Sequence, residues 1–429
     1  MKINNIVITH GYSDSNKGDL AITQGTYNGL KKMYPNASFT LLSTFREADP
    51  DFWYHNRKMK ENEIEIIQGI LPTPYIGTNS SFIMNVLAIL RLLKDYLQLK
   101  GSLLSPFFGK MLGGKQYKAL KRIKDADMII VKGGQFIYND KEDLRGNLFL
   151  WRTLQPLKVG RKLNKKVIVL CQSIGGFATE KSEKYAMKYL SYCDKIIVRE
   201  KLSLDLLNKY NIKNVELKPD IAFYIDKKEV KIKEEIVNKG NLLGITVVNW
   251  SFSESKNPVE ARQNYIINLT LAIEEVYNRL NLFPVFIPQV TVRHHGKSDL
   301  DLIKIIQNNL EDKGVKSYTF TEDYTASEMA GLYSKCKLLI GTRLHSCILA
   351  AVAETPIIAI RYQGFKTQGV MEMLGFENLV HDIHQLDGNK LIEDIETVIE
   401  NHEIIKSKIV NKTTQLRSDI SGMLLTLEV

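Results

Sequence analysis

Short runs of aliphatic and β-branched residues alternate with longer helical patterns along this 429-residue chain. Runs that stay apolar at successive positions are typical of strands buried on both faces of a parallel sheet. The predicted strands are Ile6–Thr9, Phe39–Leu42, Met128–Val131, Val167–Leu170, Ile196–Val198, Leu243–Val248, Pro284–Ile287, Leu338–Ile340 and Pro356–Ile360. The predicted helices include Asp19–Tyr34, Glu180–Tyr192, Ser203–Lys209, Ala261–Leu280 and Asp299–Leu310. This order predicts an α/β protein with two Rossmann-like, doubly wound domains.

A charge-rich segment, residues 226–240, interrupts the pattern, and a new strand begins directly after it. At about 150 residues per domain, the length agrees with two or three domains. We predict an N-terminal Rossmann-like domain over residues 1–225, a linker over 226–240 and a C-terminal Rossmann-like domain over 241–390. Residues 391–429 show helical patterns without a strand, and we expect them to pack back on the first domain.

The net charge of +10 is concentrated in one stretch of the chain. Residues 82–125 contain nine basic and two acidic residues, so this stretch alone carries +7. It is also apolar, since Phe82–Leu99 reads FIMNVLAILRLLKDYLQL. Two interpretations stay open: an amphipathic helix lying in a membrane interface, or a helical insertion packed on the domain with its lysines in water. A nucleic-acid partner is not predicted, because the charge is confined to one segment.

Several features bear on where the protein works. No uncharged apolar run reaches about 18 residues, so no membrane span is expected. The first residues lack the long apolar core of a signal peptide. The four cysteines are widely spaced and form no CxxC pair, which favours a reducing compartment. We therefore expect a cytoplasmic protein, with peripheral contact at the inner face of the cell membrane if residues 82–125 bind lipid.

Two patterns resemble functional sites but lack essential parts. Gly109–Lys115 fits GxxxxGK, yet Gln116 stands at the metal-binding Ser/Thr position and no predicted strand precedes it, so we predict no P-loop. The pairs His294–His295 and His381 with His384 lack carboxylate or cysteine ligands at metal spacing. We expect surface histidines at these positions and no metal site.

Glycines and polar residues follow several of the predicted strands. The turn after the first strand contains Asn16, Gly18 and Asp19 and opens a helix, whose free N–H groups can hold an anion. Gly18 permits close approach of a ligand, and Asp19 is either the N-cap or an acceptor for a sugar hydroxyl. Other strand ends carry Gly133, Gly134, Ser173, Gly175 and Arg199. Because α/β proteins bind ligands at the carboxyl ends of strands, this grouping predicts one shared crevice.

The most specific pattern is Ile340–Ser346, which reads IGTRLHS and lies between a buried strand and an apolar helix. A guanidinium at Arg343 can bind a carboxylate or phosphate with two parallel hydrogen bonds. An imidazole at His345 can transfer protons near neutral pH. Lys366 follows the next strand and would complete an anion site. The alternative is a capped helix start with an incidental ion pair.

Taken in order, these motifs resemble the polysaccharide pyruvyl transferase family from about Ile6 to Gly375. The resemblance rests on Asn16, Gly18 and Asp19 (N-x-G-D), Gly133 and Gly134, Ser173, Gly175 and Phe177 (S-x-G-x-F), Arg199, Glu200 and Ser203 (R-E-x-x-S), Pro219, Asp220, Ala222 and Phe223 (P-D-x-A-F), Gly341–Ser346 (G-x-R-L-H-S), and Tyr362, Lys366 and Gly369. It implies a glycosyltransferase-B-like arrangement of the two Rossmann-like domains, with the first on the acceptor side.

The resemblance also implies an activity. Such proteins transfer the enolpyruvyl unit of phosphoenolpyruvate, a co-substrate, onto two hydroxyls of a sugar and need no cofactor. The resemblance implies phosphoenolpyruvate contacts at Arg199, Arg343, Leu344 and His345, and Lys366 would add to them. Acceptor contacts are expected at Asn16, Gly18, Asp19, Gly133, Gly134, Gln135, Asp140, Ser173 and Gly175. We expect catalytic roles for His345, Arg343 and Asp19, and a lipid-linked precursor of a capsule or exopolysaccharide as the acceptor.

Two other functions stay open from the sequence alone. A nucleotide-sugar glycosyltransferase could use the same architecture, an inference that rests on fold analogy. A non-catalytic protein of the membrane surface would also explain the basic, apolar stretch at residues 82–125.

Overall fold

The computed structural model describes residues 3–74, 82–112, 114–292, 298–364 and 366–427, so His294 and His295 lie outside the described residues. Contacts divide the chain into two compact units. The first unit comprises Met1–Asp14, Ile22–Tyr224 and Asp419–Val429, and the second comprises Ser15–Ala21 and Ile225–Ser418.

The first unit contains an eight-stranded sheet whose recorded strand pairs are all parallel. Its strands are β1 (Asn5–Gly11), β2 (Ser38–Ser43), β3 (Glu65–Gln68), β4 (Met128–Val131), β5 (Gly134–Asn139), β6 (Lys166–Phe177), β7 (Lys195–Val198) and β8 (Val215–Leu217). Their order is β3-β2-β1-β4-β6-β7-β8, and β5 pairs with β6. The five strands predicted for this half are confirmed. β3, β5 and β8 were not predicted, because they are short, mixed in polarity or begin within a glycine-rich segment.

Helices connect these strands, as parallel pairing requires. They are α1 (Lys17–Met33), α2 (Phe52–Asn56), α3 (Phe82–Leu104), α4 (Pro106–Leu112), α5 (Gly114–Asp125), α6 (Leu144–Thr153), α7 (Gln155–Lys162), α8 (Glu180–Leu190) and α9 (Lys201–Lys209). The core lies between sheet and helices, where Ile129, Val167 and Leu190 are buried. The first turn of α1 belongs to the second unit.

The basic stretch at residues 82–125 forms α3, α4 and α5. One face of α3 packs on the first unit, where Leu92, Asp95 and Leu99 are buried. The opposite face exposes large apolar side chains, and α4 continues this surface. We call it the apolar face; it comprises Ile83, Val86, Leu87, Ile89, Leu90, Leu93, Leu97, Leu104, Phe107, Phe108 and Met111. The GxxxxGK match runs from α4 into α5 and follows a helix, which agrees with our rejection of a P-loop. Within the described parts of the chain, no helix is long and apolar enough to cross a membrane.

The second unit contains a six-stranded parallel sheet in the order β11-β10-β9-β12-β13-β14. Its strands are β9 (Leu242–Thr246), β10 (Phe283–Phe286), β11 (Tyr318–Thr319), β12 (Cys336–Gly341), β13 (Ile357–Arg361) and β14 (Val380–Asp382). The helices are α10 (Glu234–Val237), α11 (Pro258–Leu280), α12 (Asp299–Glu311), α13 (Ala326–Tyr333), α14 (Leu344–Val352), α15 (Lys366–Leu374), α16 (Gly388–Glu400) and α17 (His402–Leu425). The four strands predicted for this half are confirmed.

The unit boundaries differ in three places from the predicted domains. Residues 226–240 belong to the second unit, because the Lys228 amide donates to the Ser327 carbonyl (3.0 Å) and Ile236 of α10 is buried. The second unit also includes most of residues 391–429, since α16 packs on α11 and the Gly388 amide donates to Asn268 Oδ1 (2.9 Å). Only Asp419–Val429 belongs to the first unit. The third difference is Ser15–Ala21, which we had placed in the first domain.

One further expectation about the second unit is corrected. We expected His381 at the surface, but its side chain is 9% exposed and its Nε2 lies 3.0 Å from Asp394 Oδ2. Burial lowers the pKa of His381, and the Asp394 carboxylate opposes that change. His381 therefore forms part of the packing between β14 and α16.

Candidate functional site

The second unit gathers polar residues at the carboxyl ends of its central strands, where α/β proteins bind ligands. β12 ends at Gly341, and the chain turns through Thr342 and Arg343 into α14. The Thr342 amide donates to Thr246 Oγ1 at the end of β9 (3.1 Å), and Ser346 Oγ donates to the Arg343 carbonyl (2.6 Å). Arg343 is the extended residue before α14, and its own side chain does not cap this helix. The start of α14 can therefore offer main-chain N–H groups to an anion.

A buried carboxylate fixes Arg343. Its Nη2 lies 2.5 Å from Oδ1 of Asp299, whose side chain is fully buried. The other carboxylate oxygen of Asp299 accepts hydrogen bonds from the amides of Gln289 (3.1 Å) and Val290 (2.8 Å). Burial raises the pKa of Asp299, and the Arg343 guanidinium opposes this rise. The Tyr362 ring lies 5.8 Å from Arg343 Cζ, so an aromatic face and a carboxylate together hold the guanidinium.

Asp299 was not predicted as a site residue. The sequence indicated only that a helix begins there, and it does begin α12. Its pairing with Arg343 depends on how β10 and β12 are ordered in the sheet, which the local pattern does not show. The predicted start of a helix at Asp299, in the segment that follows β10, is the signal in the sequence that could have pointed to this residue.

The segment Ser15–Ala21 brings a second part of the site into this unit. The Lys17 amide donates to the Gln289 carbonyl (2.9 Å), and Asn16 forms a bridge with Val290. Lys17 Nζ pairs with Asp323 Oδ1 at 2.8 Å. These contacts fasten the first turn of α1 to the loops that follow β10 and β11.

Gly18 packs directly against the His345 ring. A Cβ atom at position 18 would lie 2.5 Å from His345 Nδ1, a separation that real Cβ atoms do not tolerate. The close approach predicted for Gly18 is therefore an approach to another residue of the protein. A side chain at position 18 would displace the imidazole.

Asn16, rather than Asp19, supplies the cap of α1. Its Oδ1 accepts from the amides of Gly18 (3.2 Å) and Asp19 (3.4 Å). Its Nδ2 donates to Asp19 Oδ2 (2.8 Å), which orients the carboxylate one residue after Gly18. Of the two roles considered for Asp19, the capping role belongs to Asn16.

Seven predicted residues thus lie in the second unit. Asn16, Gly18 and Asp19 lie on the turn into α1, Arg343, Leu344 and His345 on the turn into α14, and Lys366 at the start of α15. Lys366 follows β13, the neighbour of β12, and is half-buried. Their roles toward substrates stay predictions.

The remaining predicted residues lie in the first unit, Arg199 after β7 and the others along or next to β5 and β6. Gly134 has a φ of +136°, which favours glycine, and a Cβ on Gly133 would lie 2.9 Å from the Cys171 carbonyl oxygen. Gln135 and Asp140 are exposed, whereas Ser173 is buried. Gly175 has a φ of +129°. These residues surround the carboxyl ends of the sheet, but their contacts with an acceptor stay predictions.

Gln172, which precedes Ser173 on β6, was not predicted as a site residue. It is fully buried, and among the described residues neither its Oε1 nor its Nε2 has a hydrogen-bond partner. A buried amide without partners costs about 1–3 kcal/mol, which a bound hydroxyl would recover. Gln172 is therefore an additional candidate contact for a polar ligand.

Arg199 forms a buried ion pair with Asp220 in the first unit, and both side chains are less than 8% exposed. Its Nε donates to Ser173 Oγ (2.8 Å). These contacts hold the guanidinium at the end of β7. The assignment of Arg199 to phosphoenolpyruvate stays a prediction.

His10, at the end of β1, is a buried histidine in a left-handed conformation (φ 66°). Its Nε2–H donates to the Thr153 carbonyl (2.9 Å), so its Nδ1 accepts from Thr9 Oγ1 (2.8 Å). The ring stacks on Phe136, with centroids 4.3 Å apart. Burial lowers the pKa of His10 to about 3, and the nearby Arg152 and Lys132 add to the effect.

This lowered pKa predicts a specific loss of stability in acid. The unfolded chain binds the proton at the ordinary value of 6.5, so the contribution of His10 is complete above pH 6.5 and is lost as the pH falls toward 3. Compared with His10→Asn, which tolerates the left-handed backbone, the wild type should lose about 1.4 kcal/mol more per pH unit between pH 6 and 4. Urea unfolding at a series of pH values measures this slope. Equal slopes for both proteins would contradict the assignment.

Comparisons with known proteins bear on the family of this chain. A family model described as polysaccharide pyruvyl transferase matches residues 16–364. The amylovoran biosynthesis protein AmsJ of Erwinia amylovora is 23% identical over 436 residues, which span 99% of this chain and 98% of the relative.

Similar solved structures show the fold. A UDP-GlcNAc 2-epimerase from Neisseria meningitidis, bound to UDP-GlcNAc, has 12% identity and a TM-score of 0.56, with 99% of each chain covered. A UDP-glucosyltransferase from Polygonum tinctorium has 11% identity and a TM-score of 0.54 over 99% of this chain and 100% of that one. These structures and the two parallel sheets confirm the predicted α/β fold class of glycosyltransferase-B type.

Proposed function

This chain belongs to the polysaccharide pyruvyl transferase family, and we propose that it transfers the enolpyruvyl group of phosphoenolpyruvate onto two hydroxyls of a sugar. The product would be a cyclic pyruvate ketal, with release of phosphate. The observation that supports this proposal is the cluster of Arg343, His345 and the Asn16–Asp19 turn at one sheet edge of the second unit.

Phosphoenolpyruvate carries a carboxylate and a phosphate, so its site needs cations and N–H donors. Arg343 is held by Asp299 and presents its remaining N–H groups to one of these anions, since its Nε–H has no hydrogen-bond partner among the described residues. The start of α14 and Lys366 would bind the other anion. The Asp299 carboxylate offsets one positive charge and fixes where the guanidinium points.

The reaction then removes two protons from the sugar hydroxyls and adds two, one to the methylene carbon and one to the leaving phosphate. Protonation of the methylene carbon uses the π electrons of the enol and makes C2 electrophilic, and a sugar hydroxyl oxygen bonds to C2 as it loses its proton. The C2–O bond to phosphate breaks, the second hydroxyl oxygen bonds to C2, and its proton is also released. His345 is the group at this edge suited to carrying protons, and Asp19 would orient the acceptor hydroxyl.

For the acceptor we propose a lipid-linked sugar precursor. The buried amide of Gln172 offers hydrogen bonds for sugar hydroxyls in the first unit. The apolar face of α3 and α4 in the same unit suits contact with a membrane surface. Large apolar side chains exposed together on a protein mark an interaction site.

Incubation of the protein with phosphoenolpyruvate and candidate glycans tests the activity through phosphate release and the mass of the ketal. Arg343→Ala and His345→Ala should each lose phosphate release. The matched controls are Arg279→Ala, which removes an exposed arginine paired with Glu396, and His402→Ala on α17. Normal phosphate release by the two site variants would overturn the assignment.

Thermal unfolding of the wild type and Arg343→Ala with different ligands separates this proposal from a nucleotide-sugar glycosyltransferase. Phosphoenolpyruvate should raise the thermal unfolding temperature of the wild type and not of Arg343→Ala. Stabilisation by UDP-sugars without stabilisation by phosphoenolpyruvate would favour the glycosyltransferase. No stabilisation by either compound, together with vesicle binding, would favour a non-catalytic membrane-surface protein.

A further inference from the structure

A cavity of about 360 Å³ lies in the first unit, and its lining contains none of the candidate-site residues. It is at the carboxyl ends of β2 and β3 and is also lined by α3 and the start of α5. Four cations and two carboxylates line it, which leaves an excess of positive charge. The edge of a parallel sheet at its carboxyl side is an ordinary place for a ligand.

A buried ion pair builds the floor of this cavity. Arg46 Nη1 and Nη2 lie 3.0 and 2.5 Å from the two oxygens of Asp95, which is almost fully buried. Gln116 Nε2 donates to the same carboxylate (2.7 Å). Because Asp95 neutralises Arg46, the remaining positive charge comes from Arg91, Lys94 and Lys115.

The acidic groups nearby offset these three cations only in part. Lys115 lies 3.5 Å from Glu47 at its rim. Burial raises the pKa of Asp49, the second carboxylate of the lining, while Arg46 and Arg91 oppose the rise. Arg91 and Lys94 are exposed on α3, so both can turn toward an anion.

Two buried donors in the lining lack acceptors. Gln68, at the end of β3, is 1% exposed, and its Nε2 has no hydrogen-bond partner within the described ranges. The same holds for Arg46 Nε. Gly114, the first residue of the 12-residue α5, also lines the cavity, so the positive end of a helix dipole faces it. Unsatisfied donors and a helix start that converge on one space fit an anion with several oxygens.

The cavity borders the apolar face. With 3.6 residues per helical turn, Arg91, Lys94 and Gln98 form one row along α3. Leu90, Leu93 and Leu97 form the adjacent row, and all three leucines are exposed. A molecule with its anionic group in the cavity would therefore extend along a hydrocarbon surface.

We propose that this cavity binds the diphosphate group of a membrane lipid, and that the apolar face lies in the acyl region beside it. Among the described residues Arg91 and Lys94 form no ion pair, and together with the neighbouring donors they match a diphosphate better than a single phosphate, because a diphosphate carries more negative charge. That this lipid carries the sugar acceptor rests on the proposed function; the binding of the lipid itself does not.

Flotation with vesicles tests the proposal on the full chain. Neutral phosphatidylcholine vesicles containing a polyprenyl diphosphate should bind the wild type at least tenfold more strongly than phosphatidylcholine alone, and inorganic diphosphate should compete. Arg91→Ala combined with Lys94→Ala should abolish this preference. Lys121→Ala combined with Lys124→Ala removes the same charge outside the cavity lining and should retain it.

Two further arms separate the sources of binding. Leu90→Ser combined with Leu93→Ser should weaken binding to diphosphate-lipid vesicles without changing competition by inorganic diphosphate. Vesicles in which phosphatidylglycerol gives the same surface charge should bind the protein no better than neutral phosphatidylcholine vesicles. If they bind it as strongly as the diphosphate-lipid vesicles do, the proposal is overturned in favour of a general anionic surface. The assay contains no phosphoenolpyruvate, so failure of pyruvyl transfer would leave its outcome unaffected.

Discussion

Replacing Gly18 by alanine should lower the rate of pyruvyl transfer by about 100-fold, because small displacements of catalytic groups cost that much. The new methyl group would lie 2.5 Å from His345 Nδ1 and would push the imidazole out of position. The backbone at Gly18 is outside the left-handed region, and alanine favours a helix, so the fold should tolerate the change. Phosphate release measures the loss, and circular dichroism checks the fold.

Gly422→Ala provides the matched control, since this glycine is also helical and, beyond its own stretch of helix, no atom of the described residues lies within 4 Å of an added Cβ. This variant should keep full activity. A Gly18→Ala protein that retained wild-type turnover would show that His345 can move without penalty. His345 would then not be the proton carrier.

Replacing Asp220 by alanine should destabilise the first unit by about 3–5 kcal/mol, because it leaves the buried charge of Arg199 without its partner. Asp220 also accepts a hydrogen bond from the Ala222 amide (2.9 Å), so the following turn loses an anchor. The double variant Arg199→Met with Asp220→Leu should recover most of this stability, since no uncompensated charge is left. Urea unfolding of the two variants measures the difference.

The same double variant decides what Arg199 does for the substrate. If Arg199 binds phosphoenolpyruvate, the stable double variant should lose stabilisation by that ligand. If the variant folds and still responds normally to phosphoenolpyruvate, the ion pair with Asp220 is purely structural. A double variant no more stable than Asp220→Ala would contradict the explanation that an unpaired buried charge causes the loss of stability.

The fold was predictable from the sequence to the extent that each strand is a local apolar run. The nine predicted strands were found for this reason, and the motifs at their ends follow from strand position. The strand β5 was not predicted, because it starts within the glycine pair that we had placed at the end of the preceding strand. Strand order and neighbouring loops are non-local properties, so no local pattern could reveal the pairing of Asp299 with Arg343.

The candidate site shows the same division. Residue types that perform chemistry, such as His345 and Arg343, stand out in the sequence, whereas the residues that hold them do not. Gly18 was noted for close approach, but its neighbour proved to be an imidazole. For α3, the composition indicated a helix that is both basic and apolar. The packing shows that the face with Asp95 is buried and that the face with Leu93 is exposed.

The assignment of Ser15–Ala21 to the second unit has a consequence for protein engineering and for evolution. Consider a chimaera in which the chain from Ile225 onward comes from a relative and the preceding part from this protein. The relative's histidine at the position of His345 would then have to pack against Gly18 of this chain. The Asn16–Asp19 turn and the loops after β10 and β12 must therefore be inherited together, although some 270 residues of chain separate the turn from the first of those loops. Between relatives, a substitution at position 18 should be accompanied by a substitution at position 345.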